Sequence, residues 1–164
     1  MTFVARPARS SVTLAALPAA AGAVALALSP AALAVAVVGA ALLAVGTDRA
    51  SRRIVTAGGL LALAGVFLAG IEGIRPALVL VATAGAVVSW STGQHVVGLA
   101  RQLGQDAPID RSVGVHLATV TVASLVAGGT TLAVFRLAGR GIPRAAIFFL
   151  VGGVALLLAA FEFG

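Results

Sequence analysis

Six apolar runs, at residues 12–28, 31–46, 54–71, 77–104, 113–137 and 143–163, take up most of this 164-residue chain and leave only short connections between them. About 20 apolar residues form an α-helix long enough to cross the ~30 Å hydrocarbon layer of a bilayer, with every backbone N–H and C=O bonded inside the segment. A soluble domain carries about 25% charged residues, whereas this chain carries 10%, with 60% hydrophobic residues and a mean hydropathy of +1.13. The expected fold is therefore an all-α integral membrane bundle. It is one domain over residues 1–164, with about six transmembrane helices in three hairpins.

Local signals divide the runs. Arg6 and Arg9 precede the first run, and Ala32-Leu33-Ala34 offers a small-residue cleavage pattern, which together outline a signal peptide. Only Ser29-Pro30 separates that run from the next, so an uncleaved helical hairpin is the simpler expectation. Thr47 to Arg53 is the densest charged loop, and Glu72-Gly73-Ile74-Arg75 closes the third run ahead of Pro76, which suits the first turn of a helix. Pro108 and Asp110 supply a break and an N-cap before the fifth run, and Gly139, Gly141 and Pro143 separate the fifth from the sixth. Ala32, Ala36, Ala40 and Ala44 recur every four residues, as do Gly65, Ala69 and Gly73. Lipid offers no hydrophobic drive between helices, so these small-residue seams are expected to hold the bundle by close backbone approach.

The net charge of +6 comes from eleven arginines without a lysine, set against five acids, and the arginines cluster between apolar runs. That is the distribution of membrane-flanking anchors, and it excludes a nucleic-acid groove. With the N-terminus inside, inner segments hold Arg6, Arg9, Arg49, Arg52, Arg53, Arg101 and Arg111, and outer segments hold Arg75, Arg136, Arg140 and Arg144. The excess of inner arginines predicts a multi-pass protein of the cell membrane with both termini cytoplasmic.

The residues able to carry chemistry are few. Cysteine is absent, which removes disulfides, thiolate metal sites and cysteine nucleophiles together. Catalytic signatures such as GxSxG, HExxH and the Walker glycine loop are also missing, so no enzyme activity, cofactor or metal is expected. Ser91, Gln94, His95, Gly98, Arg101, Gln102 and Gln105 fall at helical three-and-four spacing, forming one polar face at the end of the fourth run. One reading is a helix leaving the bilayer, with Trp90 at headgroup level. The other is a face turned toward another helix or a docked protein. Ser112, His116 and Thr119 share a stripe of the fifth run. An antiparallel pair brings His95 and His116 to similar depth, with Glu162 returning to that face. Interfacial imidazoles bonded to Ser, Thr or Gln are favoured over a metal or proton site. Glu72 and Arg75 form an exposed loop pair, and Asp106 and Asp110 serve a turn and a cap. Gly58-Gly59, Gly128-Gly129 and Gly152-Gly153 are the positions at which a transporter would break its helices.

From Trp90 to Gly104, read as Trp90-Ser91-Thr92-Gly93, then Leu99 and Gln102-Leu103-Gly104, the chain resembles a family of small, uncharacterised haloarchaeal polytopic membrane proteins. Where that family carries acids after the tryptophan and the glycine, this chain has Ser91 and Gln94. Its genes often stand beside those for MoxR-type ATPases and von Willebrand-like proteins. The resemblance thus implies an accessory or scaffold subunit that anchors a cytoplasmic partner complex and contacts membrane lipid. A small transporter or channel component is the alternative. The expected partner surface is Gln94, His95, Arg101, Gln102, Gln105 and Arg111.

Overall fold

A computed structural model describes residues 8–103 and 110–137. Among them are five helices: α1 (Arg9–Val24), α2 (Pro30–Asp48), α3 (Arg52–Ile71), α4 (Pro76–Leu103) and α5 (Asp110–Leu137). The described residues are all helix and turn, and α2, α3, α4 and α5 contain stretches long and apolar enough to cross a membrane. The chain falls into two compact units, 1–128 and 129–164. In the second, the described part is the last turns of α5. The sixth expected helix, at 143–163, lies outside the described residues, so the fold on view is a helical membrane-type bundle rather than the full set of six.

The turn signals act where expected. Ser29 caps α2, its side chain accepting the Ala32 N–H at 3.0 Å, with Pro30 beside it at the start of the helix. This satisfies one of the N–H groups that a helix start leaves open. The first run is helical only to Val24. Residues 25–27 close i→i−3 bonds in its place, because the chain must tighten to reach the Ser29 cap. At the end of α2, Ala50 takes a left-handed φ of 49°, while the Ser51 N–H bonds the Gly46 carbonyl at 2.8 Å and the Ala50 N–H bonds Thr47 at 3.0 Å. Gly73 (φ 76°) ends α3 in the same manner, with the Ile74 N–H on the Ala69 carbonyl at 3.0 Å. Both are Schellman caps, and at Ala50 the chain accepts the strain that a Cβ suffers in this region.

Within the first unit each helix packs on its sequence neighbours through α4, and α1 closes on α4. The α2–α3 seam is nearly backbone on backbone. A methyl on Gly58 would lie 2.6 Å from the Leu43 nitrogen, and one on Gly65 would lie 2.8 Å from the Ala36 nitrogen. The seam on α2 uses Ala32, Ala36, Gly39, Leu43 and Gly46 rather than the strict four-residue series. An α-helix turns once in 3.6 residues, so a face that stays on a neighbour must alternate steps of four and three. Ala40 is accordingly only half-buried. The interior is alanine, valine and glycine, while Leu17, Phe67 and Ile71 point outward. Small residues inside and large apolar ones outside is the arrangement of helices packed in lipid.

One contact between α1 and α4 answers a defect in the sequence. Pro18 sits inside α1, where it lacks an N–H and its ring displaces the carbonyl one turn back. The adjacent Ala19 N–H donates across the interface to Ser89 Oγ at 2.7 Å. Gly85 has no side chain at the point where the Pro18 carbonyl arrives, and a Cβ there would collide with it. A proline, a serine and a glycine thus form one joint.

Candidate functional site

The polar residues of α4 gather at one end of the first unit, and two sets of neighbours divide them. On one side Gln94 Nε2 donates to Thr56 Oγ1 at 2.8 Å and to the Arg52 carbonyl at 3.3 Å, both at the start of α3. Two turns further, the Arg101 guanidinium donates to the Ala50 carbonyl at 3.0 Å. That carbonyl is turned outward by the left-handed cap, so the strain at Ala50 presents an acceptor to α4. The Arg52 guanidinium lies against Gly98, 3.3 Å from where a methyl would stand. Trp90 is not at a free surface: it is half-buried on Gly59, whose added methyl would stand 2.6 Å from the indole. The indole fills the space that this glycine leaves and joins the Ala19, Leu43, Val55 and Val97 cluster.

On the other side α4 meets α5. His95 and His116 stack with ring centroids 4.2 Å apart and planes 8° from parallel. Each imidazole also reaches a serine on the opposite helix. Ser91 Oγ and His116 Nε2 are 3.1 Å apart, and Ser112 Oγ and His95 Nε2 are 3.3 Å apart. Ser91 and His95 are four apart, as are Ser112 and His116, so each helix offers a hydroxyl and an imidazole on one stripe and the two stripes exchange partners. Between this box and the α4–α5 connection, Val96, Val113 and Leu99 make the apolar contact. Thr119 bonds the Val115 carbonyl on its own helix at 2.9 Å. An open groove runs alongside, lined by His95, Arg111, Ser112, Val115, His116 and Thr119.

Of the expected partner surface, Gln94, His95 and Arg101 are thus engaged within the bundle, Gln102 and Arg111 are exposed, and Gln105 lies outside the described residues. Glu162, Asp106, Gly152 and Gly153 are outside them as well. Among the described residues no three histidines, cysteines or acids converge as a metal site would need. Gly58-Gly59 and Gly128-Gly129 both sit within unbroken helices. The sequence reading paired the two histidines correctly but missed Ser89, Thr56 and the Ala50 carbonyl. Pro18 and the isolated Ser89 were the available signal, a freed donor and a lone acceptor in apolar runs. Thr92 is buried, and its hydroxyl has no hydrogen-bond partner among the described residues.

Neither a curated protein nor a solved structure matches the chain. A family model does, over residues 5–158, and it is described as a family of unknown function, DUF7519. A helical, apolar chain matched over nearly its whole length by that model belongs to the DUF7519 family.

Proposed function

We propose that the chain is a multi-pass accessory or scaffold subunit of the cell membrane that anchors a cytoplasmic partner complex and performs no chemistry of its own. Six membrane helices with both termini cytoplasmic complete this reading. The observation that carries it is the cationic end of the first unit. Arg49, Arg53 and Arg111 are exposed there and make no ion pair among the described residues, while Arg101 ties α4 to the α2–α3 turn that Arg49 and Arg53 flank. Guanidinium groups on helix ends fixed in this way meet a partner's carboxylates bidentately and lose little entropy on docking. A MoxR-type ATPase assembly, implied by the resemblance to the haloarchaeal family, is the class of partner expected. A small transporter or channel component is the alternative, and the helix breaks that many transporters place along their path do not occur at the two described glycine pairs.

The test is co-purification in mild detergent. Arg49→Glu with Arg53→Glu should release the cytoplasmic partner while the protein still inserts and remains helical, and Gln102→Glu should weaken binding in the same direction. Retention of every associated protein by the charge-reversed variants would overturn the proposal. So would solute flux in vesicles reconstituted from the purified chain alone.

A further inference from the structure

The groove beside the histidine box shares Arg111 with the proposed partner surface but joins it to an apolar wall that protein docking does not use. Its polar lining is two imidazoles, one guanidinium and two hydroxyls, and no carboxylate lines it among the described residues. The Thr119 hydroxyl is given to the Val115 carbonyl and each imidazole Nε2 faces a serine hydroxyl, so the Arg111 guanidinium is the cationic donor of this lining, the group that phosphate oxygens match. Its level in the bundle is fixed by α4. About 20 residues at ~1.5 Å each cross the hydrocarbon layer, and counted from Arg75 they end at His95. The groove therefore stands where lipid headgroups begin.

Its floor continues downward as an apolar track. Val115 lines the groove, and Val122 and Val126 follow it at steps of seven and four along the same face of α5, with exposures of 61%, 61% and 64%. Charge above and an exposed, mainly aliphatic stripe below, interrupted at Thr119, correspond to the two halves of a phospholipid. We propose that this groove is a binding site for an anionic phospholipid. Arg111, with Ser112 beside it, receives the phosphate, the stacked imidazoles close one wall, and an acyl chain lies along Val115, Val122 and Val126, passing Thr119, whose hydroxyl is already donated to the Val115 carbonyl. The site goes beyond the scaffold reading and does not depend on it.

Native mass spectrometry of the full chain in mild detergent tests the site, with phosphatidylglycerol, phosphatidylcholine and soluble glycerol phosphate as probes. Wild-type protein should retain one phosphatidylglycerol about tenfold more tightly than phosphatidylcholine, the scale of one charge-assisted contact. Arg111→Gln should abolish that preference. Arg53→Gln removes an equal charge at the same end but outside the groove, and should leave the preference intact. Val122→Ser should weaken retention of the lipid without affecting glycerol phosphate. Equal losses in Arg111→Gln and Arg53→Gln would mean that only general charge attraction acts, and would overturn the site. Displacement of the lipid by equimolar glycerol phosphate would overturn the lipid assignment. Because Arg111 is exposed and makes no ion pair among the described residues, its variant should keep the wild-type helix content, and His95→Gln with His116→Gln offers a second route to the same loss.

Discussion

Replacing Ser89 by alanine isolates the joint between α1 and α4. The substitution removes the acceptor, 2.7 Å away, that serves the Ala19 N–H. Ser89 is fully buried and Ala19 is 5% exposed, so water cannot take its place. A buried N–H left without an acceptor costs about 1–3 kcal/mol, while polar contacts between membrane helices average ~0.6 kcal/mol and reach ~1.7. The full orphaning of a donor at this site places the expected loss at about 1.5 kcal/mol, roughly tenfold in the unfolding equilibrium. The cause can be checked through Pro18. In a Pro18→Ala background residue 18 regains its N–H, α1 closes its own ladder, and the Ala19 N–H bonds one turn back. Ser89→Ala should then cost no more than about 0.5 kcal/mol, giving a coupling near 1 kcal/mol in the double-mutant cycle. Reversible unfolding in mixed micelles, followed by far-UV ellipticity, supplies the four free energies. An equal cost in both backgrounds would refute the claim that Ser89 serves a donor freed by the proline.

Gly58→Ala should cost about 2–4 kcal/mol in the same assay, because the new methyl would meet the Leu43 nitrogen and Gly39 carbonyl at 2.6 and 2.8 Å and backbone cannot yield as a side chain does. Gly128→Ala meets nothing within 4 Å and should be neutral or gain up to about 1 kcal/mol from helix propensity. Gly59→Leu should eject Trp90 from its seat, and since the chain has one tryptophan the displaced indole can be followed directly by its emission maximum. Thr92→Val keeps the buried shape and removes the unpartnered hydroxyl, so it should raise stability by up to about 1 kcal/mol, measured by the same unfolding titration.

The apolar runs and their punctuation were legible because each signal is local. Ser29-Pro30, Pro76 and Gly73 act through the backbone of their own segment, and the helices start or stop beside them. The pairing of His95 with His116 was legible for a related reason: a short connection between two long helices forces equal depth. What could not be read was the rotation of α4. Six polar positions and Gly98 at helical spacing form one stripe in sequence, but α4 is flanked by both α3 and α5. Gln94 and Arg101 therefore turn one way and Ser91 and His95 the other. The seat of Trp90 was illegible for the same reason, since a glycine seven residues into α3 cannot be seen as a seat until the helices are side by side. The left-handed Ala50 had no signal at all, because alanine rarely takes that conformation.

The central claim is that the arginine-bearing end of the bundle, and not its apolar flank, meets a cytoplasmic protein. Photo-crosslinking in intact cells tests it directly, with a photoreactive amino acid placed in turn at Arg53, at Gln102 and at Phe67, which is 72% exposed on the apolar outer surface. Positions 53 and 102 should each yield a discrete adduct with the same cytoplasmic protein, and position 67 should yield lipid adducts alone. A protein adduct at 67 with none at 53 or 102 would contradict the account.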